Sequence, residues 1–456
     1  MDIARAVEAH HTYFKTGKTL DVDFRRNSLK KLKSALFRYE DKLYDAFWAD
    51  LHKAPFEVFG TEIGLVSKEI GLHARNIRKW ARPRRVLTDL LNFYSTSRVY
   101  HEPYGVVMIM SPWNYPLQLA LLPLVGAISA GNCVMLKPAH YSEYVSEVIR
   151  ELVSDTFDPA YISVVTGGRA VNQAVLDERF DYIFFTGSPY LGKIVMEKAA
   201  KHLTPVTLEL GGKSPCIVAA DADVDVAAQR ICFGKFLNAG QTCIAPDYLF
   251  VHVDVKKQLV DRMRQCIRRF YGPDPEQSPD LVRIINDAQF TRLETLMHSA
   301  GTILHGGRVN RDTRYIEPTL IDRITPDDPI MQEEIFGPLL PILEYTHLDE
   351  VIAFINVREK PLAMYFFSAS RKPRERLISA TSSGGGCVNE TVMHISNPRM
   401  PFGGVGNSGM GCYHGKYSFD AFSHQRSILR KTTLFNPTLG YPPYGNKLRF
   451  TRRILS

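Results

Sequence analysis

No two of the seven cysteines in this 456-residue chain are spaced as CxxC, and their number is odd. Both facts argue against a disulfide framework and a cysteine-type zinc site, and for a reducing compartment. None of the 14 histidines falls in an HExxH pattern, so no metal is expected. Long apolar runs are missing. The richest stretch, 117–130, contains Gln118 and Pro123; it falls short of the about 18 residues that a membrane span needs and reads as a buried helix. The opening Met1-Asp2-Ile3-Ala4-Arg5 lacks the apolar core of a signal peptide, which makes the cytoplasm the expected location. Internal repeats and low-complexity segments are absent. So is any recognised nucleic-acid motif, although the formal net charge is +8 and the pI about 9.0. The basic residues are spread out, apart from Arg82-Pro83-Arg84-Arg85 and the run 447–453. That distribution argues against a nucleic-acid partner. It suits a surface that attracts an anionic cofactor and, at the tail, weak contact with an anionic membrane surface.

The material present is that of a globular protein, with 45% hydrophobic and 23% charged residues. At about 100–200 residues per domain, two or three domains are expected. Within 25–50, Leu29, Leu32, Leu36, Leu43 and Phe47 fall on one helical face, and 57–80 continue helically through Ile63, Val66, Ile70, Leu72 and Ile77. Pro83 ends that pattern. The segment 87–101, with Phe93, Tyr94, Val99 and Tyr100, reads as irregular or strand. From Gly105 short apolar strands (106–110, 133–136, 162–165, 182–185, 206–210) alternate with helices. The helices are 117–130 closed by Gly131, one from a Ser142 cap to about 153, a short one at 172–176, and 189–202. The alternation predicts a parallel sheet with helices on both faces, and a ligand site beyond the carboxyl ends of its strands. A second α/β region starts at Gly212, with strands at 217–218, 248–253, 302–304, 320–321, 340–343 and 363–367 and a helix at 255–271. The tail from Pro437 reads as an extended strap or a frayed end.

Chemistry gathers at Asn238-Ala239-Gly240-Gln241-Thr242-Cys243-Ile244-Ala245-Pro246. Small and polar residues with Gly240 and Pro246 predict a loop. A thiol there can reach a substrate, and its thiolate is a strong nucleophile. Taken alone, the same cysteine is as readily a small apolar filler. In Phe184-Phe185-Thr186-Gly187-Ser188-Pro189 a strand turns into a helix start, with Ser188 at the cap and Pro189 at the first helical position. The free N–H groups of that helix end favour a phosphate. An ordinary capped helix fits the same residues, and the turn is not spelled GxGxxG. Further motifs are Ser111-Pro112-Trp113-Asn114-Tyr115-Pro116, Leu208-Glu209-Leu210-Gly211-Gly212-Lys213, Glu333-Glu334-Ile335-Phe336-Gly337-Pro338 and Pro401-Phe402-Gly403-Gly404.

These segments, in this order and over residues 10–435, resemble the aldehyde dehydrogenase superfamily. The Cys243 loop and the closing Gly411-Cys412-Tyr413-His414-Gly415-Lys416-Tyr417-Ser418-Phe419-Asp420 are similar to its class 3 branch. The resemblance implies an α/β fold with a Rossmann-like parallel-sheet cofactor domain (1–80 and 103–210). It adds a second α/β catalytic domain (211–410) and a small oligomerisation arm with a C-terminal strap (81–102 and 411–456). The implied activity is NAD- or NADP-dependent oxidation of a medium-chain aliphatic or aromatic aldehyde to the acid, in a homodimer. By resemblance Cys243 is the nucleophile, Asn114 an oxyanion donor and Glu209 the base for the hydrolytic water. Lys137, His140, Thr186, Gly187, Ser188, Gly192, Trp113, Glu334 and Phe336 would contact the cofactor. His140 departs from the Glu of many NAD-using relatives. It removes a charge that repels a 2′-phosphate, so NADP is expected to be accepted. Tyr115, Leu119 and the C-terminal strap are candidates for the substrate tunnel, and Asn389 and His394 match a loop near the substrate side. A CoA-acylating enzyme, and a silent binding protein on the same scaffold, are the alternatives; the intact Glu209 argues for water as the acyl acceptor.

Overall fold

The computed structural model describes residues 2–455 except Leu90, Leu91, Phe93, Phe435, Pro437 and Leu439. The readings for Phe93 and Pro437 therefore lie outside the described residues. Across the first sheet the strands run Gly409–Met410, Val206–Glu209, Tyr182–Thr186, Val106–Met110, Cys133–Lys137, Ile162–Val164. All are parallel except Gly409–Met410, which pairs antiparallel with Val206–Glu209. Val106–Met110 is central. The next two strands add on one side of it, and Tyr182–Thr186 and Val206–Glu209 on the other. A crevice opens where that order reverses, at the ends marked by Met110, Lys137, Thr186 and Glu209. The strands are buried on both faces, which is why they read as unbroken apolar runs rather than alternations.

The second sheet has the order Thr302–His305, Thr319–Asp322, Leu339–Tyr345, Tyr248–His252, Pro215–Val218, Ala363–Phe367, Gly385–Val388. It is parallel apart from Thr302–His305. A third, antiparallel sheet joins Arg84–Val86, Ser95–Pro103 and Ser423–Lys431. Among the described residues no helix is long and apolar enough to cross a membrane. The apolar 117–130 stretch is the helix Pro116–Ala130, buried along its whole length and closed by Gly131 at φ 100°.

Several expectations are corrected. The 25–50 helix divides at Tyr39 into Val22–Arg38 and Glu40–Leu51. The 57–80 helix is Pro55–Val58, a π turn at Phe59–Ile63, then Gly64–Trp80. The wide turn brings the Phe59 carbonyl so near position 64 that a Cβ there would lie 2.8 Å from it, so Gly64 belongs to the turn. Ser142 sits at the start of Glu143–Ser154 but makes no side-chain cap. Asp50, arriving from another helix, accepts the Tyr144 and Val145 N–H groups instead. Lys447–Leu455 is a helix rather than an extended strap; the Pro and Gly that favoured a strap stop at Gly445. Helices Ile3–Lys15, Val224–Phe236 and Asp287–Met297 went unread. Val224–Phe236 is buried around most of its circumference, so its apolar residues make no single stripe.

Candidate active site

Helix Val224–Phe236 gives way to three consecutive left-handed residues: Asn238 (φ 53°), Ala239 (φ 53°) and Gly240 (φ 73°). Asn and Gly accept that region readily, whereas Ala239 costs about 1 kcal/mol there. Tertiary bonds hold the turn. Asn238 N–H donates to Glu57 Oε1 at 3.0 Å. Asn238 Nδ2 donates to the Asn114 carbonyl at 2.9 Å and the Gln241 carbonyl at 3.1 Å. Gln241 donates to the Arg283 carbonyl and accepts from Ile285 N–H. A Cβ at Gly240 would strike the Gly337 carbonyl. The turn delivers Cys243 to a cavity of about 330 Å³, with the Cys243 and Ile244 N–H groups directed at its sulfur.

Glu209, at the end of its strand, lines the same cavity. It is 3% exposed, and neither carboxylate oxygen has a partner. Burial holds its carboxyl far above the usual carboxylate range. A lone buried carboxylate costs several kcal/mol, so the resting group is the neutral acid. The Cys243 thiol is likewise pushed up by burial, then by the Glu334 and Glu209 carboxylates. Thr186 Oγ1 and Tyr413 Oη stand in the same wall, also without partners. The rest of the wall is mainly apolar, with Leu119, Leu210, Leu237, Ile244, Ile395 and Phe402, although Glu57, Gln118 and Thr242 also line it. Unpaired buried polar groups are rare in folded proteins, and here Gln118, Thr186, Glu209 and Tyr413 each bring one to a single cavity. Asn114 is 2% exposed; its Nδ2 donates to the Gln241 carbonyl at 3.0 Å, which leaves its second N–H available. Tyr115 Oη is 2.7 Å from Thr242 Oγ1.

The expected cofactor residues divide into two groups around the crevice. Lys137 is not a solvated lysine but 2% exposed. It donates to the Pro138 carbonyl, and burial lowers its pKa to about 8. His140 is exposed, its ring tilted against that of Tyr141 at 4.0 Å, and its pKa is lowered by partial burial and by Lys137. Ser188 caps Pro189–Ala200, accepting from Leu191 N–H. Gly187 N–H donates to the Glu209 carbonyl. Gly192 is required by packing: a Cβ there would lie 2.7 Å from Leu210. On the other side Phe336 (φ 53°) meets Trp113 edge-on at 5.4 Å. Glu334 accepts from Gly212 N–H and is raised to about 8 by burial and then by Asp247. A Cβ on Gly211 would run into the Glu334 carboxylate. A capped helix end, a bare glycine turn, an orphaned Thr186 hydroxyl and a carboxylate over Gly211 together suit a phosphate-linked nucleotide. By contrast, Gly404-Val405-Gly406-Asn407-Ser408-Gly409 spells GxGxxG yet opens no helix and runs into the strand Gly409–Met410.

Other candidates move away from the chemistry. Asn389 exchanges hydrogen bonds with the Ser368 backbone. His394 contacts Cys387 Sγ at 3.5 Å and stacks on Phe402, while its neighbours Met393 and Ile395 line the cavity. Tyr115 and Leu119 line it as expected; the tail does not, since the lining ends at Tyr413. Sequence reasoning missed Tyr413, although it stands in a quoted motif. It also missed Lys53, Glu57 and Glu62, whose signal was charge on the buried face of a helical pattern.

The aldehyde dehydrogenase family profile matches residues 1–428. The 4,4'-diaponeurosporen-aldehyde dehydrogenase of Staphylococcus aureus is 48% identical, over 96% of each chain. Human aldehyde dehydrogenase family 3 member B1 is 47% identical over 94% of this chain and 92% of its own. A solved structure described as the substrate-bound state of Staphylococcus aureus AldH superposes with a TM-score of 0.98 at 47% identity, covering all of both chains. The chain belongs to the aldehyde dehydrogenase family, enzymes that oxidise aldehydes with a nicotinamide cofactor.

Proposed function

We propose that this chain oxidises a medium-chain aliphatic or aromatic aldehyde to its carboxylic acid through a covalent Cys243 adduct. The observation that carries the reading is that Cys243 and the unpartnered Glu209, both pushed toward their protonated forms by burial, line one cavity, with the Asn114 amide bonded to the Gln241 carbonyl of the same loop. Cys243 loses its proton to water, and the thiolate sulfur adds to the aldehyde carbon as the carbonyl π pair moves onto the oxygen. The oxyanion that forms is met by the free Asn114 N–H and the Cys243 backbone N–H, each such donor contributing about 10²–10³ in rate. A nicotinamide held against Trp113, Glu334 and Phe336 would supply the hydride acceptor, and loss of that hydride from the adduct would leave a thioester on Cys243. Glu209, once ionised, takes a proton from the water that attacks the thioester and frees the acid. Tyr413 Oη, in the same wall, is placed to hold that water or the Glu209 carboxyl.

Lys137, His140, Thr186, Gly187, Ser188 and Gly192 would hold the adenosine and phosphate end of the cofactor, and Trp113, Glu334 and Phe336 the nicotinamide end. With an exposed imidazole at 140 in place of a carboxylate, no charge at that position repels a 2′-phosphate, and NADP is accepted beside NAD. The chain is taken as a cofactor domain (1–80, 103–210), a catalytic domain (211–410) and an arm, with Gly409–Met410 returning to the cofactor sheet. The exposed strand Ser423–Lys431 at the edge of the arm offers unpaired backbone to a second copy, which supports a homodimer. The reduced thiols fit the cytoplasm. The test is reduction of NAD and NADP, followed by absorbance, over a panel of alkanals and benzaldehydes with Cys243→Ala as control. Turnover that survives in the variant would sink the proposal.

A further inference from the structure

At the floor of the cavity, where Glu57 is part of the lining, lies a charged cluster that the proposed chemistry does not use. Lys53 and Glu62 are fully buried, 3.3 Å apart, and Lys53 is 3.9 Å from Glu57. The Lys53 ammonium also sits 4.2 Å from the centre of the Tyr115 ring. Glu62 accepts the Gln118 N–H at 2.7 Å, at the start of the helix that follows Asn114 and Tyr115. Glu57 accepts the N–H of Asn238, the first left-handed residue of the nucleophile loop. Glu57 therefore touches the 238–243 loop, Lys53 the Asn114–Pro116 turn, and Glu62 the first turn of the helix that this turn leads into.

The backbone is arranged to make this possible. Five residues apart, Glu57 and Glu62 would point about 140° apart on an α-helix. The π turn at Phe59–Ile63 widens the spiral to an i→i+5 repeat and brings both carboxylates to the side of Lys53. Buried ion pairs add little to stability compared with apolar packing, so stability alone gives no reason to bury three charges here. Geometry does. We infer that Lys53, Glu57 and Glu62 are positioning residues, a buried clamp that fixes the Asn114 amide against the Cys243 loop. The inference rests on the proposed roles of Asn114 and Cys243. Where hydride transfer needs the oxyanion held to within tenths of an ångström, a displacement near 1 Å costs about 10²-fold.

The test compares Glu57→Gln, which keeps an acceptor for Asn238 N–H, with Glu57→Leu, which does not. It adds the charge-free pair K53M/E62M, chosen because removing Lys53 alone would strand two buried carboxylates. Thermal melting confirms which variants are folded. In folded protein, Glu57→Leu and K53M/E62M should lower kcat by about tenfold or more, with the cofactor KM within about twofold, and Glu57→Gln should stay within about threefold of wild type. Combined with Tyr115→Phe, Glu57→Leu should be less than additive on kcat, because both act on the same loop. Equal kcat in all folded variants, or equal losses in Glu57→Gln and Glu57→Leu, would overturn the clamp. If wild type turns over no aldehyde, the proposed function fails by itself. The clamp is then read from iodoacetamide labelling of Cys243: a rate moved about fivefold by Glu57→Leu and not by Glu57→Gln supports it, and equal rates overturn it.

Discussion

The cavity wall and the charged cluster at its floor are both buried and treat charge in opposite ways. On the floor, Glu62 has an ammonium and a helix N–H to answer it. In the wall, Glu209 has nothing. Burial raises both carboxyls, Glu62 to about 7 and Glu209 beyond any ordinary carboxylate value. The difference separates two uses of a buried acid. A paired one fixes backbone in place; an unpaired one keeps a proton in reserve and its lone pairs free for water or substrate.

Four experiments press on that contrast. The largest effect is expected from Cys243→Ala: without a nucleophile, cofactor reduction by aldehyde should fall by about 10⁴-fold or more, with the fold intact by circular dichroism. Glu209→Gln should lower steady-state kcat by about 10²–10⁴-fold while leaving the first turnover of cofactor reduction, seen as a burst in stopped flow. Loss of the burst would place Glu209 before hydride transfer and break the division of labour drawn here. Gly240→Ala forces a Cβ at φ 73° against the Gly337 carbonyl. It should destabilise by about 1–3 kcal/mol in denaturant melts and slow turnover with it. The smallest effect belongs to the rim: His140→Glu should shift the NAD-to-NADP ratio of kcat/KM toward NAD by about tenfold, through repulsion of a 2′-phosphate. An unchanged ratio would remove His140 from cofactor choice.

Acidity gives the same contrast a sign. In the proposed reaction the Cys243 thiol and the Glu209 carboxyl act as anions, and both are held above their ordinary values of 9.0 and 4.5. Activity should therefore be lost as pH falls and keep rising through the neutral range into the alkaline. In Glu209→Gln the hydrolytic step should lose that dependence while acyl formation keeps it.

Much of the molecule was legible before any coordinates. Five of the six strands of the first sheet could be read because apolar runs between Gly and Pro have one buried solution. Cys243, Glu209 and Asn114 could be put forward as candidates because motif order carries them, and the structure brings Cys243 and Glu209 to one cavity. The helix Val224–Phe236 stayed hidden because it is buried on several sides, and Ser142 was taken for a cap because local spacing cannot see Asp50 arriving from another helix.

What the sequence alone determined is local and additive: which segments become strands, where turns fall, and which residue types stand ready for thiol chemistry. What the tertiary structure decided is everything set by neighbours distant in the chain. It left Glu209 without a partner, brought Lys137 indoors, joined Lys53 to Tyr115 across 62 residues, and held Ala239 in a conformation that its own chain disfavours. Protonation and strain depend on the surroundings of an atom, and those surroundings exist only once the chain has folded.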